Sequence, residues 1–99
     1  MTFNYKLDND VLFVSLEGRL DTEAATKFDA ELAEVSKAHG HTAMTIDAAG
    51  LEYIASSGLR TILKLAKTEK NFKVENVCSS VYSVFEMTGF SRIINITKA

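Results

Sequence analysis

Apolar residues alternate with polar ones at Phe3, Tyr5 and Leu7, the period of a strand with one buried face. Asp8-Asn9-Asp10 reads as a turn. Val11 to Leu16 is then nearly continuously apolar, short, and rich in β-branched and aromatic residues, as a buried strand is. The two strands are expected to pair as a hairpin. Gly18-Arg19-Leu20-Asp21-Thr22 breaks the pattern, and Asp21 or Thr22 can cap a helix by accepting a bond from a free backbone N–H. Ala25, Phe28, Leu32 and Val35 follow at helical spacing, with Lys27, Glu31 and Glu34 on other faces. That helix should stop near His39-Gly40, where Gly40 can take the left-handed conformation.

Thr42 to Asp47 reads as a third strand, and Ala48 to Ala55 as a loop. Ser56 or Ser57 is placed to cap a second helix, which would turn Leu59, Ile62, Leu63 and Ala66 to the core. Phe72, Val74 and Val77 mark a fourth strand. Ser79 or Ser80 would cap a third helix carrying Val81, Val84 and Phe85, ended by Gly89. Ile93 to Ile96 is expected to be a short last strand. The order is β-β-α-β-α-β-α-β, which predicts an α/β fold: a small mixed sheet with parallel neighbours and right-handed crossovers.

Composition narrows the classes. The 99 residues suffice for one domain, 1–99, with one modest core. With 46% hydrophobic and 24% charged residues the chain is that of a folded globular protein. There is no proline, and no linker, repeat or low-complexity tract to mark an internal boundary. A net charge of -2 excludes the basic footprint of a nucleic-acid binder. The apolar runs fall short of a bilayer span. Met1 to Lys6 lacks the order of a secretory signal, so a cytoplasmic place and no membrane insertion are expected. The one cysteine, Cys78, fits a reducing compartment. With only His39 and His41 beside it, no metal site is expected. The charge balance and the lack of an evident apolar patch point to a monomer.

The informative stretch runs from Asp47 through Leu51, Tyr53-Ile54-Ala55 and Ser56-Ser57-Gly58-Leu59-Arg60. It leaves a strand and enters a helix through two serines and a glycine. Function in open α/β sheets gathers beyond the carboxyl ends of strands. A helix start offers free N–H groups and positive potential, welcome to a phosphate. Gly58 removes bulk where another backbone would approach. The plainer reading makes Ser56 and Ser57 helix caps only. A serine, two histidines and several aspartates also invite a hydrolase reading. The histidines, however, would lie at the other end of the sheet, too far from Ser56 to act as its base. There is no G-x-S-x-G elbow and no G-x-x-x-x-G-K loop. No catalytic residue and no cofactor are expected.

Three segments in order carry a resemblance. They are Gly18-Arg19-Leu20-Asp21, the stretch from Asp47 to Arg60, and Val81-Phe85-Thr88-Gly89-Phe90-Ile93. Together they resemble the STAS domain family, named for sulphate transporters and anti-sigma factor antagonists. The resemblance implies a stand-alone antagonist that, unphosphorylated, binds an anti-sigma serine kinase of the GHKL type and so frees a sigma factor. It implies phosphorylation of Ser56 by that kinase, with loss of binding, and resetting by a serine phosphatase. ATP would belong to the kinase. The partner face implied comprises Asp21, Tyr53, Ser56, Ser57, Gly58 and Arg60. Asp21 has capping as its other reading. Arg60, a turn past Ser56, can pair with a phosphate or stay solvated. Tyr53 and Leu51 can offer contact area, or Tyr53 can pack over the sheet edge. Two departures stand out. Ala55 replaces the aspartate that often precedes the phosphorylated serine, and Cys78-Ser79-Ser80 lacks the proline often found there. Ala55 suits an alternative, a soluble STAS subunit of a membrane transport complex acting without phosphorylation. A nucleotide- or lipid-binding module ranks last, since no specific pocket is legible.

Overall fold

The computed structural model describes all residues, Met1–Ala99. Strands β1 (Thr2–Asp8) and β2 (Val11–Leu20) form the expected antiparallel hairpin. Its turn residues Asn9 and Asp10 have φ of 50° and 65°, the two consecutive left-handed positions of a tight type I′ turn. There follow α1 (Thr22–Ala38), β3 (Ala43–Ile54), α2 (Ser56–Thr68), β4 (Phe72–Val77), α3 (Ser79–Met87), a short turn α4 (Phe90–Ile93) and β5 (Asn95–Lys98). The five strands lie in the order β1-β2-β3-β4-β5, all parallel beyond the first pair. The fold is α/β with a mixed sheet.

The parallel strands advance across the sheet in one direction, so right-handed crossovers put every helix on one face. Burial agrees. Leu12, Val14, Leu16, Met44, Ile46, Ala48 and Val74 are closed in beneath the helices. On the opposite face the row Lys6, Phe13, Thr45 and Lys73 is exposed except at Thr45, which its neighbours cover. Phe28 of α1 and Phe85 of α3, both without exposed surface, plug the two ends of the helical layer. β2 and β4 thus show the one-sided apolar period of a sheet half open to solvent, while central β3 is buried on both faces at Met44, Thr45 and Ile46.

Several expectations need correction. The third strand does not stop at Asp47: β3 continues to Ile54 because β2, running on to Leu20, keeps pairing with it. Two irregularities each insert one extra residue into β3, between the pairs Ser15↔Asp47 and Glu17↔Gly50, and between Gly18↔Leu51 and Arg19↔Tyr53. Gly50 permits the first, since a Cβ there would lie 3.1 Å from the Leu16 carbonyl oxygen and 3.2 Å from Glu17 Cα. Pairing with β4 ends at Asp47↔Glu75, so β2 and β3 continue beyond it as a two-stranded ribbon. Gly40 is not left-handed. α1 ends in an extended His39, and the left-handed glycines are Gly18 and Gly89. On α2 Ile62 is buried and Leu59 and Ala66 pack against the core as expected, but Gly58, Thr61 and Leu65 join them in place of Leu63, which stays half-exposed. The close approach of Gly58 sets that rotation. Leu7, near the hairpin turn, is exposed. Gly89 ends α3 as expected, but the chain restarts as α4, where Phe90 stacks on Phe85 at 6.3 Å. Ile93 therefore ends a helical turn, 68% exposed, and the last strand begins at Asn95.

At the end of the sheet where β3 begins, His41 Nε2 lies 2.8 Å from Glu69 Oε2, and Nδ1 lies 3.3 Å from the His39 carbonyl oxygen. Both partners only accept, so the ring makes both bonds only when doubly protonated. Burial disfavours the charged ring, but the Glu69 hydrogen bond, the His39 carbonyl and the Glu69 charge together raise the His41 pKa above its ordinary value. A raised folded-state pKa stabilises fully below the unfolded value, and the gain is lost as pH rises through the folded value. Unfolding free energy from urea titrations is therefore expected to fall as pH rises from about 6 towards 8. Glu69→Gln should flatten that slope; an unchanged slope in the variant would show that the pair contributes nothing.

Candidate functional site

Three strands end on the same side of the sheet, and each passes into a helix through a single residue: Asp21 before α1, Ala55 before α2 and Cys78 before α3. This short connection brings three helix N-termini, with their free N–H groups and partial positive charge, to one end of the molecule. Only Asp21 caps with its side chain, accepting from the Ala24 N–H at 2.9 Å. Ala55 has no side-chain acceptor, and Cys78 makes no cap bond. The serines following them are therefore the first helical residues and not caps. The Cys78 thiol is half-buried and reaches the Leu51 carbonyl at 3.5 Å. Its bond with Ser80 and nearby backbone groups hold its pKa below the ordinary value.

The two serines of α2 differ. Ser57 Oγ donates to Thr22 Oγ1 at 3.1 Å, tying the start of α2 to the start of α1. Ser56 is exposed, and its hydroxyl makes no hydrogen bond within the protein. The Ala55 N–H donates to the Leu20 carbonyl (2.9 Å), and the first helical bond is Leu59 N–H to the Ala55 carbonyl (3.0 Å). The amides of Ser56, Ser57 and Gly58 precede that bond and have no helical partner. No imidazole is near, since His39 and His41 lie before the start of β3, at the opposite end of the sheet.

Asp21 is exposed beside this pair of helix starts, one residue before the Thr22 that holds Ser57. Arg60, one turn past Ser56, is exposed and without an ion pair. It borders a shallow cleft of about 260 Å³ between α1 and α2, with Ser57, Thr61 and Lys64. Tyr53 is 40% exposed on the ribbon, under the Arg19 guanidinium, which sits 4.2 Å from its ring centre. Leu51, by contrast, is buried and offers no contact surface.

Gly58 is buried too, and its role differs from the one expected. A Cβ there would lie 2.9 Å from Ile54 Cγ1 and 3.0 Å from Leu20 Cγ. The missing side chain lets α2 settle onto the ends of β2 and β3; it does not make room for a partner. Gly58→Ala is expected to cost about 1–2 kcal/mol, because overpacking of about 1–3 kcal/mol outweighs a helix-propensity gain of up to about 1 kcal/mol. Urea unfolding measures it, and a stabilised variant would refute the packing role. The sequence alone did not single out Thr22 or Arg19. Thr22 carries only the signal of a helix start, and Arg19 depends on a bulge that no residue type announces.

The family described as "Mlab, STAS domain" matches residues 3–96. BtrV of Bordetella bronchiseptica, assigned as an anti-sigma factor antagonist, is 33% identical over 99 residues, covering 95% of this chain and 83% of that protein. An anti-sigma factor antagonist from Mycobacterium paratuberculosis superposes with a TM-score of 0.86 at 20% identity, over 99% of this chain and 86% of that one. The antagonist SpoIIAA superposes in its unphosphorylated form with a TM-score of 0.77 at 19% identity, over 96% and 87% of the two chains. The phosphorylated form of the Bacillus SpoIIAA gives 0.69 at 18% identity, over 96% and 90%. The structural likenesses bear on the fold.

Proposed function

The chain belongs to the STAS domain family, and from that premise we propose that it is an anti-sigma factor antagonist switched by phosphorylation of Ser56. Unphosphorylated, it docks on an anti-sigma serine kinase of the GHKL type through the surface around Asp21, Tyr53, Ser56, Ser57 and Arg60, in the cytoplasm and as a monomer. The docked kinase no longer holds its sigma factor. The kinase then transfers a phosphoryl group. Ser56 Oγ attacks the γ-phosphorus of the kinase's ATP, the hydroxyl proton leaves to a base, and ADP departs. We assign the base to the kinase: no imidazole of this chain lies at this end, and the Asp21 carboxylate is engaged in capping α1. The phosphorylated surface no longer docks until a serine phosphatase removes the group.

One observation carries the reading. Ser56 presents a free, exposed hydroxyl at an uncapped helix start, while Ser57 beside it is held by Thr22. Phosphorylation there adds roughly 1.5–2 negative charges beside free N–H groups without disturbing the core. The similarity to BtrV over almost the whole chain supports the same reading. A second reading has its own support in Ala55, which supplies no group to orient a hydroxyl: a soluble subunit of a membrane transport complex, working without phosphorylation.

Incubation with a purified anti-sigma kinase and ATP, followed by mass spectrometry, separates the two. Wild type and Ser57→Ala are expected to gain one phosphoryl group, and Ser56→Ala none. A group on Ser57 overturns the assignment of the residue. No transfer at all, with a transport subunit retained instead, favours the second reading.

A further inference from the structure

The β2–β3 ribbon carries a feature beyond the phosphorylated serine itself. In an unbroken register, Gly18↔Leu51 would be followed by Arg19↔Glu52, a guanidinium opposite a carboxylate. The second irregularity of β3 inserts Glu52 as the extra residue and sets Tyr53 opposite Arg19. The bulge thus exchanges a neutralising partner for an aromatic ring. Gly18, with φ of 106°, gives the strand the backbone freedom it needs next to the bulge. The Arg19 guanidinium carbon sits over the Tyr53 ring, 4.2 Å from its centre, within cation–π range. Asp21, Glu23 and Glu52 border the same open cleft of about 480 Å³, yet none comes within 4.0 Å of the guanidinium. Arg19 is exposed and its charge is unpaired.

The Arg19 guanidinium has no ion-pair partner in the chain, and the N–H edge of a guanidinium matches a carboxylate in bidentate fashion. The ring also holds the side chain in place beforehand, so less freedom is lost on binding. Arginine and tyrosine are the residue types that most often anchor protein interfaces. Both sit on the ribbon end that leads directly into Ala55 and Ser56. We infer that the Arg19–Tyr53 pair is a second anchor of the docking face and takes a carboxylate side chain of the anti-sigma partner. The inference rests on the docking reading above and adds the residue and the charge that the partner must present.

The test measures affinity by calorimetry for the purified anti-sigma kinase that phosphorylates wild type, at low and moderate salt. Arg19→Ala is expected to bind at least about tenfold more weakly and to lose part of the salt dependence. Arg19→Glu should bind more weakly still. Tyr53→Phe keeps the ring and should retain more affinity than Tyr53→Ala, which should approach Arg19→Ala. Urea midpoints of all four should match wild type, which sets folding aside. Arg19→Ala binding within twofold of wild type overturns the inference and leaves the proposed function standing. The same holds if Arg19→Ala slows phosphorylation alone, with the unphosphorylated complex unchanged. If wild type binds no anti-sigma kinase, the proposed function falls, and the anchor with it.

Discussion

Phe28→Ala is expected to lower the unfolding free energy by about 3–5 kcal/mol. Phe28 is the centre of the inward stripe of α1, between Ala24, Ala25 and Leu32, and none of its surface is exposed. Its ring stacks on Phe3 of β1, centroids 5.1 Å apart and planes inclined by 16°. The ring therefore joins the first helix to the edge strand that no other strand covers. Small neighbours such as Ala24 and Ala25 cannot collapse into the space it would leave, so the cavity cost adds to the lost transfer energy. A domain of this size has roughly 5–15 kcal/mol in total. The loss would be a large share of that and would lower Tm by roughly 4–8 °C per kcal/mol. Phe3→Ala, at a half-buried position, should cost less, and the double variant should show about 0.5–1.5 kcal/mol of coupling from the stacked pair. A Phe28→Ala loss below about 1 kcal/mol would mean that α1 is not held through this ring. The residue has no exposed surface for a partner to touch, so partner binding per folded molecule should not change.

What was legible in the sequence followed from periodicity. Alternation at Phe3 and Tyr5, helical spacing at Ala25, Phe28 and Leu32, and the left-handed Gly89 each act within a few residues, so local pattern suffices to read them. What was not legible depends on distant partners. Ala48-Ala49-Gly50 has no strand propensity, yet it lies in β3 because β2 supplies its hydrogen bonds. Ile93 and Ile96 look like one strand, but the Phe90–Phe85 stack draws the first into a helical turn. Asn76, left-handed at φ 60°, shifts the inward face of β4 from Val74 to Val77, which is why Phe72, Val74 and Val77 do not alternate strictly.

The candidate site shows the same division. A strand followed by two serines and a glycine locates the helix start, and the resemblance singles out Ser56 from Ser57. The reason for the difference is tertiary, the bond from Ser57 to Thr22 on another helix. The serines looked like caps because serine usually is one; here the extended residue is Ala55, and the helix begins one step later. Gly58 looked like an opening for a partner. Its space is filled from inside by Leu20 and Ile54, which lie 34 positions apart in sequence and meet only in the sheet. Arg19 was hidden because a single inserted residue decides whether it faces Glu52 or Tyr53.

Ser56→Asp is expected to move binding and stability in opposite directions, and that contrast makes it the most discriminating change at this site. At the start of α2 a carboxylate meets the positive end of the helix, whose first turn carries no acidic residue. That placement should stabilise the fold by about 0.3–1 kcal/mol at low salt. The exposed side chain touches no core residue that could offset the gain. If the proposed docking at Ser56 holds, the same charge must be desolvated where wild type presents a neutral hydroxyl. A charge wrongly placed in an interface costs several kcal/mol, so affinity for the kinase should fall by about 30- to 1,000-fold. Arg60, one turn further on, can screen part of the charge, which puts the aspartate variant towards the lower figure and the doubly charged phosphate towards the higher. Ser56→Ala, with neither charge nor hydroxyl, should bind within about threefold of wild type. Equal affinities for wild type and Ser56→Asp would remove the switch from Ser56. Weaker binding accompanied by lost stability would show that the residue acts through the fold, because a docking residue at a helix start lowers affinity while the folded state gains.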